Sequence, residues 1–216
     1  MARTVADFAQ MSFPDFELSL ADLSAANAVA EASLQDNYLF AIYPPDNAAI
    51  RCHEVGTLCC ERLQRNTNVR PREVLHATLC VLKSAHCLTA ALGVGDSIAS
   101  AAFDVEFDCA LSFDHHKGGD RKYPYVLSCE SGTNRALHWL QQQLSTPLMR
   151  MGLLARRGFT PHITLLYDTN RINKCVIEPI CWTVTKFALV HSHFGEAWHE
   201  EICCWKLPNR GSGTGC

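Results

Sequence analysis

One four-residue pattern occurs twice in the chain, as His76-Ala77-Thr78-Leu79 and as His162-Ile163-Thr164-Leu165, once in each half. Each copy lies in an apolar run that reads as a strand. Successive strand side chains point to opposite faces, so a histidine and the threonine two residues on share a face. The residues between and beyond them take the other face. The duplication therefore asks for two similar strands, each with one face for a core and one for chemistry. Shuffling this composition produces two such tetrads in on the order of one chain in a thousand. The pair is read as two halves of one site.

The flanking sequence supplies the rest of the architecture. Residues 38–43 form an aromatic and aliphatic run stopped by Pro44-Pro45, which predicts a buried strand. Asp46 or Asn47 is placed to cap a helix reaching about Gln64, with Ile50, Val55 and Leu58 as its apolar stripe. Residues 73–82 predict the first motif strand, with His76, Thr78 and Cys80 on one face and Leu75, Ala77, Leu79 and Val81 on the other. Residues 89–102 are Ala-rich and helical in part. Residues 103–113 alternate as a half-buried strand, and 125–129 return as another after a loop at Gly118-Gly119. Thr133 or Asn134 caps a helix to about Met151 with Leu137, Leu140, Leu144 and Leu148 on one face, and Pro147 kinks or ends it. The second motif strand covers 159–167, one long strand covers 180–190, and a last one covers 200–207.

Strands and helices alternate here without a Gly-rich dinucleotide-binding turn, and several strand pairs are hairpin-connected. That pattern predicts an α+β fold with mixed or antiparallel sheets rather than a doubly wound parallel one. The repeat adds two α/β lobes, each giving one motif strand to a central cleft, with helices outside. Residues 1–36 read as an N-terminal extension, 37–207 as a single two-lobed domain and 208–216 as a flexible tail.

Composition narrows the partners. Hydrophobic residues make up 48% and charged residues 19%, and the net charge is −3 with histidines neutral. Bulk charge of that sign does not hold a protein to nucleic acid, but an RNA end or small nucleotide gripped by a few local cations is compatible. Twelve cysteines occur with no C-x-x-C spacing, so they read as reduced, mostly buried small hydrophobes of a cytoplasmic protein rather than a disulfide or zinc framework. Residues 1–10 lack the apolar stretch of a signal peptide. No run approaches the roughly 20 apolar residues of a membrane span. A monomer with no membrane partner and no cofactor is expected.

Two histidines are the minimum equipment for concerted acid–base chemistry near neutral pH, one neutral and accepting a proton while the other donates. Opening a cyclic phosphate needs that pairing, because one oxygen loses a proton as another gains one on the far side of phosphorus. Threonine hydroxyls beside them can donate to the non-bridging oxygens. Such a site needs no metal. The chain resembles the 2H phosphoesterase superfamily, and within it the 2′-5′ RNA ligase-like proteins or RNA 2′,3′-cyclic phosphodiesterases. The likeness extends from Leu39-Phe40-Ala41-Ile42-Tyr43-Pro44 through Arg70-Pro71 and both tetrads, with Phe159-Thr160-Pro161 before the second, to the strand from Trp182 to Ser192. It implies a two-lobed α+β fold, a 2′,3′-cyclic phosphate of an RNA end or nucleotide as substrate, and reversible 2′-5′ joining of RNA ends in some members. It also implies His76 and His162 as the acid–base pair and Thr78 and Thr164 as phosphate ligands. By analogy His162 is the base toward water and His76 the acid toward the 3′ oxygen.

Further candidates are single features. Arg156-Arg157 precedes the second motif and can meet phosphate. Phe194 and Trp198 sit in a polar loop and can stack on a base, whereas Tyr123 and Tyr125 read as core residues. His191-Ser192-His193 and His115-His116 have no carboxylate or cysteine at a completing spacing, so they read as surface or loop histidines and no metal site is expected. A catalytically idle RNA- or nucleotide-binding module of the same fold is the alternative to the phosphodiesterase. A metal-dependent hydrolase using the scattered histidines is a weaker third.

Overall fold

In the computed structural model, which describes residues 37–64, 66–82, 85–114, 122–129, 134–154, 158–193 and 198–209, alternating apolar runs become strands and the stripes of leucine and alanine become helices. In chain order these are β1 (Asn37–Ile42), α1 (Asp46–Arg62), β2 (Ala77–Val81), α2 (Leu88–Asp96), β3 (Phe103–Ser112) and β4 (Tyr123–Ser128). There follow α3 (Arg135–Arg150), β5 (His162–Asp168), β6 (Cys175–Val184), β7 (Lys186–Ser192) and β8 (His199–Lys206). The described residues lie in one unit, Gln35–Cys216.

The strands make one eight-stranded sheet in the order β6-β3-β4-β5-β2-β1-β7-β8, and every pairing among the described residues is antiparallel. The fold is α+β, and of the two sheet types expected it is the antiparallel one. The order divides into two quartets, each with a motif strand at its inner edge. They meet where β2 pairs with β5, Ala77 opposite Ile163. The long strand expected over 180–190 is two strands, β6 ending one quartet and β7 lying inside the other, separated by Thr185 alone. One intervening residue spans at most about 7 Å, so the sheet bends until these ends meet. A continuous apolar run looks the same whether it pairs with one set of neighbours or two, which is why periodicity misses the break.

Packing follows the patterns unevenly. In α3, Leu137, Leu140, Leu144 and Leu148 are all buried, the stripe that the sequence predicts, and the helix packs on β2 and β3. It runs on through Pro147 to Arg150. Asn134 occupies its N-cap position but does not cap it: its side chain accepts from Glu106 N (2.9 Å) and donates to Glu106 O (2.8 Å), tying the helix start to β3. In α1 the expected stripe holds only at Val55, which packs against the core. Ala48, Ala49, Cys52 and Gly56 are buried, while Ile50 and Leu58 are 39% and 50% exposed. The helix lies close to β5 and β6, where small residues fit; a Cβ at Gly56 would stand 2.7 Å from Val69. Pro45, not Asp46 or Asn47, holds the N-cap position.

The first motif segment is also shorter than expected, a 3-10 turn (Arg72–Val74) and then β2. Against β1, Thr78 faces Ala41 while Cys80 faces Phe40, so β2 carries one extra residue there. The bulge moves Cys80 into the core at 4% exposure and leaves Val81 at 44%, the reverse of strict alternation.

Candidate functional site

The two histidines are built alike. The Nδ1 of His76 donates to the carbonyl of Val74 at 2.8 Å, and the Nδ1 of His162 donates to the carbonyl of Thr160 at 2.7 Å. A carbonyl only accepts, so Nδ1 carries the hydrogen in both rings and Nε2 is the accepting nitrogen when the ring is neutral. Ala77 and Ile163, opposite each other at the seam, are 1% and 0% exposed in the core. Their neighbours therefore project to the other face. Continuing the antiparallel register by one residue sets His76 across from Thr164 and Thr78 across from His162, a local two-fold arrangement of two imidazoles and two hydroxyls. All four are partly buried.

The surroundings of the two rings differ. His76 meets the edge of His199 at 4.7 Å between centroids and lies 5.8 Å from the ring of Tyr43. The Tyr43 hydroxyl bonds His199 Nδ1 at 2.7 Å. Burial, opposed by the Val74 carbonyl, pushes the His76 pKa down to about 4, and the charges of His199, Arg70 and His162 push the same way. Burial and then Arg70 lower that of His199. Burial, helped by Glu201, raises that of Tyr43. His162 packs edge-on against Phe113 at 5.0 Å. A cavity of about 310 Å³ with Tyr43, His199 and Glu201 in its wall opens on the His76 side. One of about 730 Å³ opens on the other, between Thr78 and Val81 of β2 and Phe159 to His162, with His138 of α3 behind. An apolar patch of Leu39, Ala41, Ala188 and Val190, with Tyr43 against it, floors the sheet beside the site.

Of the further sequence candidates, Trp198 is 46% exposed, lines the smaller cavity and stacks on His193 with centroids 4.4 Å apart. Tyr125 is a core residue. Arg156, Arg157, Phe194, His115 and His116 lie outside the described residues. Sequence reasoning missed Tyr43, Arg70 and His199. Tyr43 ends an apolar run and His199 opens a strand, and neither carries a periodic signal. Arg70 is brought in by its backbone, whose N–H bonds Leu165 O at 2.7 Å.

No protein-family model and no curated protein matches the chain. Among solved structures, E. coli LigT in its apo form aligns with a TM-score of 0.62 at 24% identity, over 81% of this chain and 98% of that one. E. coli LigT complexed with 3′-AMP aligns at 0.60 and 23% identity, over 81% and 99%. TT0787 of Thermus thermophilus aligns at 0.62 and 20% identity, again over 81% and 99%. The fold is that of the LigT-like 2H phosphoesterases. The likeness is one of architecture, and it agrees with the superfamily resemblance carried by the tetrads. Nearly the whole length of each of these structures is matched. No described helix is long and apolar enough to cross a membrane.

Proposed function

We propose that the protein is a 2H-type phosphodiesterase that opens 2′,3′-cyclic phosphates of RNA ends or nucleotides, using His76 and His162 and no metal ion. The observation that carries the reading is the paired construction of the two rings, each fixed through Nδ1 to a backbone carbonyl on either side of the Ala77–Ile163 seam. The nucleotide complex of LigT, a protein of this fold, supports a nucleotide-like substrate.

The surroundings of His76 support one division of the roles. Held neutral, its Nε2 takes the proton of the attacking water, and His162 delivers a proton to the ribose oxygen that leaves phosphorus. This exchanges the roles expected by analogy. Thr78 and Thr164 donate to the non-bridging oxygens, and the charge of Arg70 offsets that of the phosphate. With the hydroxyl of a second RNA end in place of water, the same proton transfers form a 2′-5′ linkage.

Purified protein is expected to hydrolyse 2′,3′-cyclic nucleotides in excess EDTA, with His76→Ala and His162→Ala each lowering kcat by about 10²–10⁴-fold. Wild-type turnover in the double variant would overturn the mechanism. Tight nucleotide binding with no product over hours would make the protein a binding module instead.

A further inference from the structure

Across the sheet from the groove, the tertiary structure completes a cluster that the linear sequence leaves open. His191 lies opposite Glu200 in the β7–β8 register, and His193 follows directly after β7. One ligand atom from each of His191, His193 and Glu200 lies within 4.8 Å of the other two. Glu200 Oε2 is 3.5 Å from His191 Nδ1 and 3.6 Å from His193 Nε2.

These spacings are informative. A charged imidazole bound to a carboxylate closes to about 2.7–2.9 Å. Ligands held about 2.0–2.1 Å from a tetrahedral ion stand about 3.3 Å apart. The carboxylate thus sits beyond direct hydrogen-bond length from both rings and close to the separation that a shared ion imposes. Among the described residues, the Nε2 of His193 is shut off from solvent and has no hydrogen-bond partner, a state that costs about 1–3 kcal/mol when nothing fills it. The rings are also held in place. Tyr38 stacks on His191 at 4.4 Å, His191 lies 4.0 Å from His193, and Trp198 covers His193.

We propose that His191, His193 and Glu200 form a binding site for a divalent transition-metal ion of the zinc type, with its fourth position open to water. Two imidazoles and a carboxylate are a ligand set that suits such an ion. The ion ties the end of β7 to β8 and braces the strand carrying His199. Side chains alternate, so Glu200 holds it on the face away from the groove that His199 enters. The site is structural and does not rest on the phosphodiesterase reading.

Full-length protein, reduced and freed of metal with a chelator, is titrated with Co²⁺ and then Zn²⁺. One Co²⁺ per chain is expected, with visible ligand-field bands, no thiolate charge-transfer band and displacement by Zn²⁺. Glu200→Gln and His193→Ala should each weaken binding at least tenfold, and His76→Ala should leave it unchanged. By NMR, Zn²⁺ should shift the imidazole signals of His191 and His193 but not those of His76 and His162, a readout on the wild-type chain that does not depend on how the variants fold. The absence of saturable binding, a thiolate band, equal affinity in both site variants or unmoved His191 and His193 signals would each overturn the site.

Discussion

His76 is the residue whose environment says most about chemistry. Its ring meets Tyr43 and His199, and burial, with the charge of Arg70 acting the same way, brings its pKa down to about 4. If it is the base, the acid limb of kcat/KM, which reports the free enzyme, lies near that value rather than near the ordinary histidine value of about 6.5. A limb near 6.5 would move the base role elsewhere. The same shift has a stability consequence with a definite sign. The unfolded chain binds a proton at His76 as pH drops through about 6.5, whereas the folded chain does so only near 4. This residue's contribution is therefore complete above 6.5, shrinks as pH falls toward 4 and is constant below. Over that window it amounts to roughly 3 kcal/mol. Urea unfolding of wild type and His76→Gln at pH 7 and pH 4.5 measures it. The variant should lose less stability on acidification, and parallel losses would show that burial does not hold the ring neutral.

Among elements, α3 and β2 show how local rules hold and fail. The four leucines of α3 obey helical spacing and are buried, but Asn134 is spent on β3 rather than on its own helix. Asn134→Ala leaves the N–H and C=O of Glu106 without these partners, and should cost about 1–3 kcal/mol in denaturant unfolding. A loss within a few tenths of a kcal/mol would mean that the bracket is not a constraint. In β2 the alternation that points His76 and Thr78 to the groove survives, while the bulge beyond Thr78 sends Cys80 to the core. In α1 Ile50 and Leu58 face outward, because close approach to β5 and β6 favours alanine, cysteine and glycine. Hydrophobicity alone ranks those positions the other way.

At the scale of the molecule, two strand quartets meet at the Ala77–Ile163 pair, and the His–His geometry depends on how they sit against each other there. Ile163→Val should cost about 0.5–1.5 kcal/mol and Ile163→Ala about 2–5 kcal/mol of stability. If the seam sets the site, the Ala variant also loses turnover at temperatures where it remains folded; unchanged kcat in a destabilised protein would separate seam from site. Which faces of the motif strands carry histidine and threonine, the leucine face of α3, the strand before Pro44 and the α+β class are all legible in the linear chain. These are written in local periodicity, which depends on the backbone alone. Long-range packing sets the rest: that Ala77 pairs with Ile163, that Tyr43 and His199 lie against His76, and that Glu200 faces His191. Strand register is a long-range choice, and residues brought together across strands leave no mark on the spacing of either segment.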